Sequence, residues 1–402
     1  MSLADRKAGD AEVLRLRFDE ALTHYRDDVD VARVCELGVR FGRYRVVKRL
    51  RHLIGEDAYR AFLRDRALPQ VPIGGDKSTG FAVDEGMIDE IAATLGEPRE
   101  ALLAQTVRRM IDAGSRHIAK LYVLARLAGD AALVGALQPA FDARAARPRA
   151  QLPELVRRRW DVALLQRGDE DDYNPKSAYL FANGELVLKE HLRLHLDPSR
   201  LAGYSEEREL LAELAHPHIV RLVDWVAMPP HELMLFRRAP GATLDGRALP
   251  RRDALCVVTQ LAETLAWLHA QGVLYLDVKP QNLLFDGRDL TLVDFGMARR
   301  GRQVCSMLST LEYVPPEMAR TFESTTASDV FQLGLVTYQL LVGHHPFSDG
   351  EGVAVALANL WDEPDLEAPQ LGALRPLVGD MLARSPTDRP TAAEAHATLV
   401  AA

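Results

Sequence analysis

Cysteine is scarce in this chain: Cys35, Cys256 and Cys305 are the only three among 402 residues. They are odd in number, far apart and without metal-ligand spacing, which argues against a disulfide framework and for a reducing, cytoplasmic setting. Long apolar runs are also missing. Nothing approaches the roughly 18–20 consecutive apolar residues of a membrane-spanning helix. Met1 to Ala11 is polar and of mixed charge, unlike a secretory signal. A basic excess is absent as well. The net charge is −8, so bulk attraction to nucleic acid is not expected. The charge is uneven: residues 1–150 hold 25 basic and 22 acidic side chains, and residues 151–402 hold 24 and 35. That split suggests two modules with different surfaces. Apolar residues at 48% are sufficient for packed cores.

The texture changes along the chain. Residues 12–68 read as helices, with Phe41, Tyr44, Val47, Leu50 and Ile54 recurring near a 3.6-residue period. Pro69 to Gly80 is rich in proline and glycine and reads as a loop. Helical pattern resumes at Val83–Leu95 and continues beyond Glu97-Pro98 through Leu102, Val107, Ile111 and Leu121. Residues 143–153 read as a linker or helix end. Beyond Trp160, Ser177–Phe181 and Glu185–Lys189 are short alternating runs joined through Asn183-Gly184, a strong hairpin signal. A helix is expected over Ser205–Ala215, with strands near Val220–Val226 and Leu233–Phe236. Asp253 is expected to cap a helix whose stripe is Leu255, Val258, Leu261, Leu265 and Leu268, ending before Gly272.

The chemistry concentrates in Tyr275-Leu276-Asp277-Val278-Lys279-Pro280-Gln281-Asn282, followed by Asp294-Phe295-Gly296. Phosphoryl transfer from ATP needs an oriented acceptor hydroxyl and metal-held phosphates. Asp277 can accept or orient the hydroxyl's proton, and Lys279 can neutralise charge on the phosphate in flight. Asn282 and Asp294 offer oxygens to Mg²⁺, a hard cation that prefers them.

These residues resemble the protein kinase superfamily of the eukaryotic-like (Hanks-type) serine/threonine type, over about residues 160–402. The resemblance implies an α+β, bilobal kinase fold: an antiparallel β small lobe with one helix, then a helical large lobe. Residues 153–402 would form it, preceded by an all-α domain, 1–152, that binds a partner or restrains the kinase. By the same resemblance, Val187-Leu188-Lys189 places Lys189 on the ATP phosphates. Counting back from His216-Pro217-His218-Ile219-Val220 makes Glu207 its partner, with Glu206 and Glu209 as alternatives. Phe236 would be the gatekeeper, and backbone groups of Arg237 to Ala239 would bind adenine. Thr310, in the segment leading to Pro315-Pro316-Glu317, would hydrogen-bond Asp277 and Lys279. Glu317 would pair with Arg389. Asp329 would anchor the catalytic-loop backbone, or else cap a helix. The implied reaction passes the γ-phosphate to Ser or Thr of a protein, the kinase itself included.

Three departures qualify the pattern. No G-x-G-x-x-G is present; its place reads Gly168-Asp169-Glu170-Asp171-Asp172-Tyr173-Asn174-Pro175-Lys176-Ser177. Like charges at 4 Å repel by about 4 kcal/mol at an effective dielectric of 20, so acids there disfavour ATP. Lys176 and the Ser177 hydroxyl would partly substitute for the missing amides. Leu276 replaces the Arg that usually precedes the catalytic Asp and pairs with a phosphorylated loop. That makes the chain non-RD in type and predicts activity without activation-loop phosphorylation. The loop from Met297 to Val314 is also short. A pseudokinase or scaffold is the alternative that the degraded loop permits, and the intact Lys189, Asp277, Asn282 and Asp294 argue against it. A small-molecule kinase is opposed by the Thr310–Glu317 segment. The six positive charges from Arg40 to Arg51 read first as a solvated helix face. Gly74 to Thr79 lacks P-loop spacing.

Overall fold

The structure, a computed structural model, describes residues 2–25, 27–41, 43–71, 73–74, 82–112, 118–145, 164–167, 178–182, 186–192, 198–228, 231–247, 249–301, 303–304, 310–347, 350 and 352–402. Contacts divide the chain into two compact units. Met1–Tyr25, Ala202–Asp224 and Met234–Ala402 make the first, and Arg26–Leu201 with Trp225–Leu233 make the second.

Two helices open the first unit, α1 (Leu3–Leu14) and α2 (Phe18–His24). Ser2 and Asp5 cap α1 reciprocally: the Ser2 hydroxyl accepts from Asp5 N at 3.1 Å, and the Asp5 carboxylate accepts from Ser2 N at 3.3 Å.

The second unit begins with α3 (Asp28–Arg40), α4 (Tyr44–Arg49) and α5 (Glu56–Phe62). The period read across Phe41–Ile54 is broken into pieces, because α3 ends at Arg40 with Phe41 as its cap and a 3₁₀ turn follows α4. Tyr44 and Val47 still face the core. The two-residue strands β1 (Ile73–Gly74) and β2 (Ala82–Val83) pair antiparallel; most of the expected loop between them lies outside the described residues. Then come α6 (Glu85–Leu95), α7 (Arg99–Asp112), α8 (Ile118–Leu127) and α9 (Ala131–Ala145). Asp84 caps α6 by accepting from Met87 N at 3.0 Å, and Gly96 ends it at φ 69°. Leu103, Val107 and Met110 of α7 share one face and join Tyr59, Ile88 and Leu124 in an apolar core.

Strands β3 (Leu164–Arg167), β4 (Ala178–Ala182) and β5 (Leu186–Leu192) follow, with Tyr179 opposite Lys189 and Phe181 opposite Val187. The Asn183-Gly184 turn itself is outside the described residues. Helix α10 (Pro198–Glu213) starts seven residues before the expected Ser205. After it come β6 (Leu222–Met228) and β7 (His231–Arg237), and the sheet order is β3-β4-β5-β7-β6.

The rest of the first unit is mainly helical. After β8 (Ala242–Thr243), helix α11 (Arg251–Ala270) buries Val258, Leu261, Leu265 and Leu268. Asp253 does not cap it: the helix starts two residues earlier, after Pro250, so Asp253 sits in its first turn, where a negative charge suits the dipole. Strand β9 (Val273–Leu274) follows, and β10 (Leu283–Phe285) pairs with β11 (Leu290–Leu292) and with β8. Strand β12 (Arg299–Arg300) pairs with β9, while β13 (Gln303–Val304) pairs with β14 (Glu323–Ser324) across α12 (Pro316–Thr321). Helices α13 (Thr326–Val342), α14 (Val353–Trp361), α15 (Arg375–Met381) and α16 (Ala392–Ala401) complete the chain. Among the described residues no helix is long and apolar enough to cross a membrane.

Candidate active site

Strand β9 leads into the loop Tyr275–Asn282, and β10 and β11 return the chain to Asp294. Two turns of that path need left-handed backbone, at Leu276 (φ 64°) and Asp294 (φ 60°). Non-glycine residues enter this region at a cost and keep it where the surroundings over-determine them. Here the over-determination is visible. Asp329 of α13 is fully buried and accepts from Tyr275 N at 2.9 Å and Leu276 N at 2.6 Å. His269 Nε2 lies 2.8 Å from the same carboxylate. Gln332, one turn on, accepts from Val278 N at 3.1 Å and donates to Leu276 O at 3.3 Å and Tyr313 O at 3.1 Å. Asp329 is therefore a loop anchor rather than a helix cap; Thr325 and Ser328 make the capping box of α13.

The chemical groups converge on Asp277, which is 5% exposed. Asn282 Nδ2 donates to Asp277 Oδ2 at 2.7 Å and to its carbonyl at 2.9 Å. Lys279 Nζ lies 2.9 Å from the same Oδ2 and donates to Thr310 Oγ1 at 2.9 Å. Lys279 thus bridges the carboxylate and the threonine. The Tyr275 hydroxyl donates to Val293 O at 2.5 Å, and its ring meets Phe295 edge-on at 5.0 Å. Burial, then the charges of Asp277 and Asp294, push the Tyr275 phenol well above its usual range, so it stays a neutral donor.

Of the three glutamates left open by sequence, Glu207 is the one turned inward. It is 1% exposed, and its Oε1 accepts from Phe295 N at 3.2 Å. Glu206 instead meets Arg300 N at 3.1 Å and Arg299 Nε at 3.4 Å, and the Glu209 side chain is 64% exposed. Phe236 is buried at the end of β7, where Arg237 N donates to Arg221 O at 3.0 Å; the Arg237 side chain is exposed and Ala239 half-buried. Lys189 is buried on β5 in the second unit. Lys176, Ser177 and the acidic loop lie outside the described residues. Glu317 and Arg389 form a two-pronged pair at 2.9 and 2.8 Å, with Ser328 Oγ donating to Glu317 at 2.7 Å. Gln332 and His269 were not singled out from sequence. Their partners lie 19 to 60 positions away, so no local spacing marks them.

The match to a known family agrees with this geometry. Residues 182–399, more than half of the chain, match the protein kinase domain. The chain belongs to the protein kinase domain family. Similar proteins include the calcium/calmodulin-dependent protein kinase cmkA of Emericella nidulans, 27% identical over 57% of this chain and 63% of that protein. The serine/threonine-protein kinase PknB of Mycobacterium leprae is 30% identical over 51% of this chain and 36% of its own length. The serine/threonine-protein kinase PkaA of Streptomyces coelicolor is 32% identical over 51% and 40%. The chain therefore spans less than two thirds of the length of each of these relatives.

Proposed function

We propose that this chain is an ATP- and Mg²⁺-dependent serine/threonine protein kinase of the non-RD type, acting on proteins that include itself. The observation that carries the reading is Lys279, held at 2.9 Å from both Asp277 and Thr310. That bridge keeps a cation beside the carboxylate that must receive a hydroxyl.

Asn282 spends its amide N–H on Asp277. Its carboxamide oxygen is the end left to face a cation, and with the Asp294 carboxylate it gives the hard-oxygen set that suits Mg²⁺. Bound Mg-ATP supplies the transferable γ-phosphoryl group. Asp277 orients the Ser or Thr hydroxyl and takes its proton. Lys279 offsets the negative charge that develops beside Asp277. Lys189 and Glu207 serve as the phosphate clamp, Lys176 and Ser177 support it from the acidic loop, and Phe236, Arg237 and Ala239 frame adenine. Residues 1–152 are proposed as a helical module that meets a protein partner, and residues 153–402 as the kinase domain. The scarce, scattered cysteines favour a cytoplasmic setting.

The test is transfer of labelled phosphate from ATP to a generic protein substrate with Mg²⁺, comparing wild type with Asp277→Ala, followed by identification of the labelled amino acid. Phosphoserine or phosphothreonine from the wild type, lost in the variant, is the expected result. No transfer by the wild type would favour the scaffold reading.

A further inference from the structure

Helix α1 closes on the far end of its own unit. Trp361 Nε1, on α14, donates to Asp10 Oδ2 at 3.1 Å across 351 positions of sequence, and Lys7 Nζ lies 2.8 Å from Asp362 Oδ1. Asp10 is 1% exposed and also accepts from the Tyr25 hydroxyl at 2.6 Å. A side chain at Gly9 would stand 2.5 Å from the Tyr25 ring, so glycine there lets the end of α2 approach α1. Leu14, at the end of α1, joins one apolar cluster with Leu274, Leu276, Val314, Met318 and Leu360.

That cluster borders a segment whose backbone hangs from side chains. In the shelf Leu311–Val314, Glu312 O accepts from Asn359 Nδ2 at 3.0 Å and lies 3.2 Å from His345 Nε2. Tyr313 O accepts from Gln332, and Val314 O accepts from Asn359 at 3.1 Å. Glu312 Oε1 accepts from Gly352 N at 2.7 Å. Asn359 is on α14, the helix that α1 grips. Leu276, standing where an arginine would pair with a phosphate, is fully buried in the same cluster.

We propose that α1 is a clamp acting in cis. Leu14 closes the apolar cluster over Leu276, and the Asp10–Trp361 bond fixes α14, so that the shelf is held ready for a peptide without a phosphate on the loop. Leu14 is a positioning residue, acting through Leu276, Val314 and Leu360. The inference rests on the kinase reading above, but part of its test does not.

Hydrogen exchange and peptide kinetics on the full chain decide it, with Leu14→Asp, Leu14→Met and Trp361→Phe beside wild type. Leu14→Asp is expected to speed exchange at the amides of 311–314 and 353–361 by about tenfold. It should raise the KM for peptide and leave the KM for ATP unchanged. Leu14→Met keeps wild-type behaviour, and Trp361→Phe, which removes the indole N–H bonded to Asp10 together with part of the ring, gives a smaller shift in the same direction. Unchanged exchange in Leu14→Asp and Trp361→Phe overturns the clamp, and so does a lower peptide KM, which would make α1 a cover over the shelf. Should Leu14→Asp not fold, Trp361→Phe decides alone. A wild type that transfers no phosphate would remove the kinase reading, while the exchange data would still decide the clamp.

Discussion

Between Asp28 and Ala145, Asp30 and Thr106 are the buried charged or hydroxyl-bearing aliphatic side chains among the described residues, and Thr106 merely bonds back to Leu102 O one turn earlier. Between Thr264 and Arg389 the buried polar set includes Asp277, Asn282, Asp329, Gln332, Asn359 and Arg389. The first stretch is held by apolar packing along amphipathic helices. The second places polar groups inside, each bonded to loop backbone or to another site residue. Burying such groups is costly unless they are paired, and leaving one unpaired costs about 1–3 kcal/mol. Their concentration around Tyr275–Asn282 therefore marks where the chain spends stability on fixing a loop in one conformation. Among its described residues the helical stretch carries no comparable concentration of buried polar groups.

Substitutions can test that contrast. Lys279→Met should lower phosphate transfer by about 10²–10³-fold when the rate is measured below the variant's unfolding transition; a fall in stability without loss of rate would make Lys279 structural. Arg389→Ala strands the Glu317 carboxylate and should cost about 3–5 kcal/mol in denaturant unfolding, because breaking a buried pair leaves a bare charge. Leu103→Ala, in the fully buried face of α7, should cost about 2–5 kcal/mol by opening a cavity. Equal loss of transfer rate in Leu103→Ala, measured below its unfolding transition, would erase the distinction between the two regions.

The smallest expected effect is on pH dependence. Burial, aided by the neighbouring His218 charge and opposed by Glu263, lowers the His216 pKa below 6.5. The native state therefore favours neutral imidazole, while the unfolded chain takes up its proton at the ordinary value. This contribution is present above pH 6.5 and is lost as the pH falls through the lowered native value. Thermal midpoints followed down through that range should drop less steeply in His216→Asn than in wild type.

Much of this was legible in the chain. The D-x-K-x-x-N and D-F-G spacing pointed to the loop because the spacing is local and its residue types are chemically specific. Helices were readable where the period was clear, as over Val83–Leu95, where α6 spans Glu85–Leu95. One cap was misread: Asp253 sits inside α11, whereas Asp329 serves the loop, as the resemblance implied. The candidate at Glu207 was narrowed by burial and by its bond to Phe295 N, which composition cannot express when three glutamates stand within four positions.

The sequence by itself determined the kinase family, the helix and strand periods and the identity of the chemical groups, because each of these depends on neighbours a few positions apart. Tertiary structure alone decided which glutamate turns inward, that Gln332 and Asn359 hold the shelf, and that Leu14 joins the apolar cluster that holds Leu276. Those contacts join residues up to hundreds of positions apart, and they arise only when packing brings their elements together.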